Sequence, residues 1–451
     1  MSEPKPLAGS PAKSPAVGTA RSSFTRCVKM ILLVLLLAWL SLAFWNSAKP
    51  LPAGTHVVSQ VSRLSEADVD FLYVSTRREY ASAQDTSAID HAEHLIVLDR
   101  SPVTPELARH LLARKRLRPN LKMVLVTDPG NEVFGGTPSQ TLISLERAGV
   151  IVARVRLDSL RDSNPLYSGL WRLAFSWWSN PFDETPGQVS LPAWSRMQNS
   201  KSDRRQLVVA DDGSGGWTAI IAPADAAASL VLRGSLAQAM IADELQVAAW
   251  STDDDRLPRG PPSDAGRVGS IDARFLTEGA IEGALLDAMA AAGSGDQISV
   301  AVEKLSDRRL ITAALSAAAR GARLQVLLAR FTMPNQTVAG ELLRDGGGHI
   351  ELRWYPDERG ASHPTLLMMR HREDVWVNLG TANFTRRDLG DLNLAASVEL
   401  RMPARAAPAR AIADYFAGIW SGASADAGFV DESAAAYWRY RFAEATGLSS
   451  F

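Results

Sequence analysis

Two stretches of this chain, residues 94–155 and 297–354, spell out the same order of strand and helix, and that repetition limits the folds open to it. In the first stretch, residues 94–98 (HLIVL) read as a buried strand and 104–115 as a helix with Leu107, Leu111 and Leu112 on one stripe. Residues 122–127 (KMVLVT) form a second strand, 140–148 a helix and 150–155 a third strand. The second stretch runs strand 297–302, helix 308–319, strand 324–328, helix 336–344 and strand 349–354. Both reach their second helix through similar words, Pro138-Ser139-Gln140-Thr141 and Pro334-Asn335-Gln336-Thr337. Apolar runs alternating with helical periodicity imply parallel strands joined by crossover helices, hence an α/β class built from a tandem duplicated unit.

Around this body the chain divides by composition. Residues 251–270 (STDDDRLPRGPPSDAGRVGS) are rich in Pro, Gly and Asp and read as a linker between the units, 60–250 and 271–421. A helix with Tyr437, Trp438, Tyr440 and Phe442 is expected within a C-terminal segment, 422–451. Residues 1–27 read as a disordered tail, by their Pro, Ser, Ala and Gly content. Residues 28–46 read as a transmembrane helix, because 30–45 carry no charge. That run rises roughly 24 Å, against a hydrocarbon core of about 30 Å, so Val28 and a snorkelling Lys29 complete the span. Lys5, Lys13, Arg21, Arg26 and Lys29 precede it and only Lys49 follows closely, which puts the tail in the cytoplasm and the body outside. A cleaved signal peptide ending at Ser41-Leu42-Ala43 is the competing reading; the long stretch before the apolar run favours the anchor.

Charge and cysteine content exclude several classes. A net charge of −1 argues against bulk nucleic-acid binding. The single Cys27 excludes an intramolecular disulfide framework and a cysteine-rich zinc site. His91 and His94 lie in a polar loop before a strand and read as solvated. Phe134-Gly135-Gly136-Thr137 lacks the lysine of a phosphate-binding loop. No cofactor or metal is expected.

The most informative residues follow the third strand of the second unit. Ser362-His363-Pro364-Thr365 opens a strand, a charged turn follows, and residues 375–379 lead into Gly380-Thr381-Ala382-Asn383. This arrangement resembles the H-x-K-x₄-D and G-S/T-x-N signature of the phospholipase D superfamily, in its cardiolipin synthase-like branch. The resemblance implies two tandem units forming a pseudo-twofold body, one motif from each meeting in a single cleft. It implies a histidine nucleophile attacking phosphorus, a second histidine as acid, and Lys and Asn stabilising phosphoryl charge. His363, Gly380, Thr381 and Asn383 fit. Thr365 stands where the family has Lys, and the motif Asp is missing, Arg370 falling at that count.

The first unit departs further. Residues 201–209 are expected to form the equivalent strand, and in Lys201-Ser202-Asp203-Arg204-Arg205-Gln206, Arg204 takes the place of the family His and Gln206 that of Lys. Ala222-Pro223-Ala224-Asp225 replaces the glycine loop. A guanidinium with a pKa above about 12 cannot act as general acid near neutrality, and losing such an acid costs roughly 10² to 10⁴ in rate. The resemblance therefore implies a phosphate cleft with impaired catalysis, in which Arg204, Arg205, Lys201 and Gly380 hold phosphate while His363, Thr381 and Asn383 keep the catalytic positions. The implied partner is an anionic phospholipid at the membrane. An active phosphodiesterase or phosphatidyl transferase with His363 as nucleophile is the alternative. Residues 166–182 place Leu166, Leu170, Leu173 and Trp177 on one helical face, either core or an interfacial helix toward lipid.

Overall fold

The computed structural model describes residues 17–73, 86–135, 139–177, 191–199, 201–222, 228–261, 269–330, 332–356 and 365–447. Its elements are α1 (Val17–Ala48), β1 (Ser62–Leu64), β2 (Val69–Tyr73), β3 (Leu95–Asp99), α2 (Pro105–Leu117), β4 (Lys122–Thr127), α3 (Gln140–Arg147), β5 (Ile151–Arg154), α4 (Pro165–Ala174), α5 (Leu191–Met197), β6 (Leu207–Asp211), β7 (Trp217–Ile221), β8 (Ala228–Arg233) and α6 (Ser235–Ser251). There follow β9 (Ile271–Thr277), α7 (Gly279–Ala291), β10 (Gln297–Val302), α8 (Arg308–Ala319), β11 (Arg323–Leu328), α9 (Met333–Asp345), β12 (Ile350–Trp354), β13 (Thr365–His371), β14 (Asp374–Gly380), α10 (Arg386–Leu389), β15 (Ala396–Pro403), α11 (Ala407–Ser421) and α12 (Ala434–Thr446).

Two sheets form, and they share one topology. The first runs β2-β8-β7-β6-β3-β4-β5; the second runs β9-β15-β14-β13-β10-β11-β12, with β1 added beside β9. In each, the last three strands are mutually parallel and the remainder antiparallel, so strand order and direction match position by position. The strands β3, β4, β10 and β11 are buried along most of their length because both faces of each sheet are covered.

One apolar core draws on both sheets: Val97 and Val209 from the first, Leu366, Val377 and Leu400 from the second. The helix following the last strand of each unit enters this core, α6 through Leu236, Met240 and Ile241, α11 through Ile412, Phe416 and Trp420. Contacts are reciprocal: α6 packs on β9 of the second sheet and α11 on β2 of the first. Two further cores line the outer faces of the sheets, beneath α2–α3 and α8–α9.

Three sequence expectations need correction. The expected tail is helical from Val17, so α1 begins well before the apolar run. The helix expected over 166–182 ends at Ala174 because Phe175 leaves helical geometry; residues 178–182 lie outside the described set. Residues 201–206 carry no regular strand, and β6 starts only at Leu207. Of the expected linker, 262–268 lie outside the described residues.

Candidate functional site

The glycine loop of the second unit is built by close strand contact. Thr365 faces Gly380 across β13–β14, and Gly380 in turn pairs with Ser397 of β15. A Cβ on Gly380 would meet the Ala396 carbonyl at 2.2 Å and Ser397 Cα at 2.5 Å, so only glycine fits. Thr381 donates its amide (2.9 Å) and its hydroxyl (3.3 Å) to Ala396 O. Asn383 Oδ1 accepts from the Lys304 amide at 3.2 Å, tying the loop to the end of β10. His363 lies outside the described residues.

In the first unit, Gln206 O accepts from the amide of Ala222 at 3.1 Å, so Gln206 stands against Ala222 as Thr365 stands against Gly380. Arg204 is two residues earlier, the register of His363. The segment 202–204 runs beside 393–394 of the second unit: Leu394 N donates to Ser202 O (3.1 Å) and Arg204 N to Leu394 O (2.9 Å). Ser202 N also donates to Asn393 Oδ1 at 3.0 Å. These bonds stitch the two units at the site.

Arg204 then reaches across the seam. Its Nε lies 3.5 Å from Asp388 Oδ1, an ion-pair distance too long for a good hydrogen bond, with about a third of the side chain exposed. Asp388 is buried; its carboxylate accepts from the Asn383 amide (2.9 Å) and from Asn393 Nδ2 (2.6 Å). Arg204 and the Asn383 loop therefore converge on one carboxylate. Arg386 and Arg387 lie on the same short helix, α10, whose N-cap is Thr385. Arg386 Nη2 donates to Ser163 O at 2.7 Å. Burial and the neighbouring Arg386 bring Arg387 down to about 10. On α12 nearby, burial pushes the Glu444 carboxyl up to about 7.

Two of the expected phosphate ligands are engaged elsewhere. Arg205 is fully buried, held by Glu278 (2.8 Å), Glu244 (2.9 Å) and the Gly54 carbonyl (2.6 Å). Adjacent residues of an extended segment point to opposite sides, so Arg204 faces the seam and Arg205 the interior. Lys201 is also buried: its Nζ donates to Asp162 (2.6 Å) and to the Leu160 carbonyl (2.6 Å), and Asp162 pairs with Arg172 as well. Burial lowers the Lys201 ammonium from its ordinary value. Gln206 Nε2 donates to Ser101 O at 2.8 Å. Thr365 is buried, so neither family lysine position presents a cation.

Sequence reasoning missed Asp388, although it stands five residues after Asn383 in the run Thr385-Arg386-Arg387-Asp388. It also missed a buried acidic group around Arg205, comprising Asp99, Asp203 and Glu244. Burial, reinforced by repulsion within the group, raises Asp99 and Asp203 well above the carboxylate range. The arrangement offers the partly exposed guanidinium of Arg204 beside a glycine loop, which suits an anionic oxygen better than proton transfer.

Residues 285–420 match the family model described as "Cardiolipin synthase, PLD-like domain". Phosphatidylserine synthase of Haemophilus influenzae Rd KW20 has a similar structure, with a TM-score of 0.56 at 10% identity, covering 92% of this chain and 98% of that one. Nuc, a phospholipase D family member from Salmonella typhimurium, aligns at 15% identity over 34% of this chain and 96% of its own, with a TM-score of 0.27. Among curated protein sequences, none matches this one. Residues 285–420, within the second unit, thus match a phospholipase D-like domain family, and the fold of the whole chain is similar to that of a solved phosphatidylserine synthase.

Proposed function

We propose that this protein is a membrane-anchored phospholipase D-like protein whose seam between units holds the phosphate of an anionic phospholipid headgroup with little or no turnover. The observation that carries this reading is the meeting of Arg204 and the Asn383 loop at Asp388. It supports a cleft drawing one residue set from each unit. The replacement of both motif lysines and of the first histidine supports impaired catalysis, since a fixed guanidinium cannot donate the leaving-group proton. The helix Phe24–Ala48 is long and apolar enough to cross a membrane, and the basic residues before it favour a body on the outer face.

A second reading, an active phosphodiesterase or phosphatidyl transferase using His363 as nucleophile, draws support from the intact glycine loop in the unit that matches the family. Incubating purified protein with labelled phosphatidylglycerol separates the two. The binding reading expects retention on lipid without a trapped phosphohistidine. Robust wild-type turnover that disappears in His363→Ala would overturn it.

A further inference from the structure

We infer that α4 is an interfacial helix dipped into the outer leaflet beside α1, with Leu166 and Leu170 turned toward lipid. The helices α1 and α4 pack closely. As the chain advances from Asp162 to Gly169, its contacts move back down α1. Asp162 N donates to Asn46 O at 3.0 Å, and Trp39 Nε1 donates to Leu166 O at 2.7 Å. A Cβ on Gly169 would meet Trp39 O at 2.8 Å and the Ala43 Cβ at 3.2 Å, so the helices nearly touch there.

Depth follows from where these contacts fall. The uncharged run of α1 starts at Met30, and Phe44 and Trp45, 75% and 70% exposed, place aromatic rings at its far end. Such rings sit at headgroup level. Trp39 is then roughly 8 Å deeper, at 1.5 Å per residue. If α4 and everything packed on it stayed in water, only the stretch from Met30 to Ala38 would remain to cross the hydrocarbon. That stretch rises only about 13 Å, against a core of about 30 Å. The part of α4 against Trp39 must therefore share the membrane.

The surface of α4 suits that position. Leu166 and Leu170, one turn apart, are 48% and 46% exposed, and Trp177 just beyond the helix is 73% exposed. The adjoining side is tied down: Tyr167 OH donates to Ser195 O (2.8 Å) and Trp171 Nε1 to Ser195 Oγ (3.0 Å) on α5. The helix start is anchored to the site as well, through Arg386 and Ser163. The interfacial placement stands on the α1–α4 contacts. Its consequence, a headgroup cleft opening at membrane level, rests on the function proposed above.

The test uses the full-length chain in phosphatidylethanolamine/phosphatidylglycerol vesicles, with Cys27→Ser as background and one spin label per variant. Labels go on Leu170→Cys or Leu166→Cys, with Leu35→Cys on α1 as the embedded reference and Leu117→Cys on α2 as the aqueous one. The ratio of oxygen to nickel-chelate accessibility should be severalfold higher at 166 and 170 than at 117, approaching that at 35. A ratio at 166 and 170 equal to that at 117, with 35 still in lipid, overturns the interfacial helix and leaves the anchor standing. An aqueous signal at 35 overturns both.

Discussion

Arg204 of the first unit and Asp388 of the second lie 3.5 Å apart across the seam, and the same carboxylate fixes the amide of Asn383. The pair bridges the two units and partly neutralises the Arg204 guanidinium. An incoming phosphate would compete with Asp388 for the guanidinium.

Arg204→Ala is therefore expected to weaken binding to phosphatidylglycerol vesicles roughly tenfold to a hundredfold, the value of one charge-assisted phosphate contact at about 1.5 to 3 kcal/mol. The loss should be largest at low salt, where screening is least. Co-sedimentation at two ionic strengths measures it; unchanged binding at low salt would remove Arg204 from the site.

Arg205→Ala should behave differently. Removing a fully buried guanidinium leaves Glu244 and Glu278 uncompensated in the interior, a loss of about 3 to 5 kcal/mol. Thermal unfolding should register it directly, and lipid affinity should fall only in proportion to the unfolded fraction.

Glu444 supplies a pH signature. Its carboxyl moves from an ordinary value near 4.5 up to about 7 in the folded state, because burial disfavours the charged form. The stability it allows is fully present below about pH 4.5 and is lost as pH rises through about 7. Glu444→Gln should flatten that part of the stability curve, gaining on the order of 3 kcal/mol over wild type at pH 8 and little at pH 4. Denaturant melts at the two pH values decide it; an equal effect at both would contradict the shift.

Gly169→Val should pry α1 from α4, since the added carbons meet the backbone of Trp39. A loss of about 1 to 3 kcal/mol is typical of such overpacking. Faster amide exchange confined to α4 and the end of α1 would show it, and unchanged protection would refute the close contact.

A reporter fused after residue 60 should be active only outside the cytoplasm, given the basic residues ahead of the apolar run. Cytoplasmic activity would reverse the proposed orientation.

Strand and helix periodicity, a local property, was enough to find the repeated unit: β10 and α8 fall on their expected residues, and β4 likewise. The apolar run and the Gly380–Asn383 loop were legible for the same reason, each being carried by a few consecutive residues. The sequence by itself thus determined the α/β class and the order of strands and helices in both units. It could not say which of Arg204 and Arg205 faces the seam. Alternation along an extended segment gives two opposite sides, and only packing against Glu244 and Glu278 names the inner one. Nor could it reveal that Lys201 serves Asp162, or that α4 lies against Trp39. Those pairs join residues far apart in the chain, and their partners are chosen when two sheets and a helix close over a shared core, because a buried charge needs a counter-charge within reach.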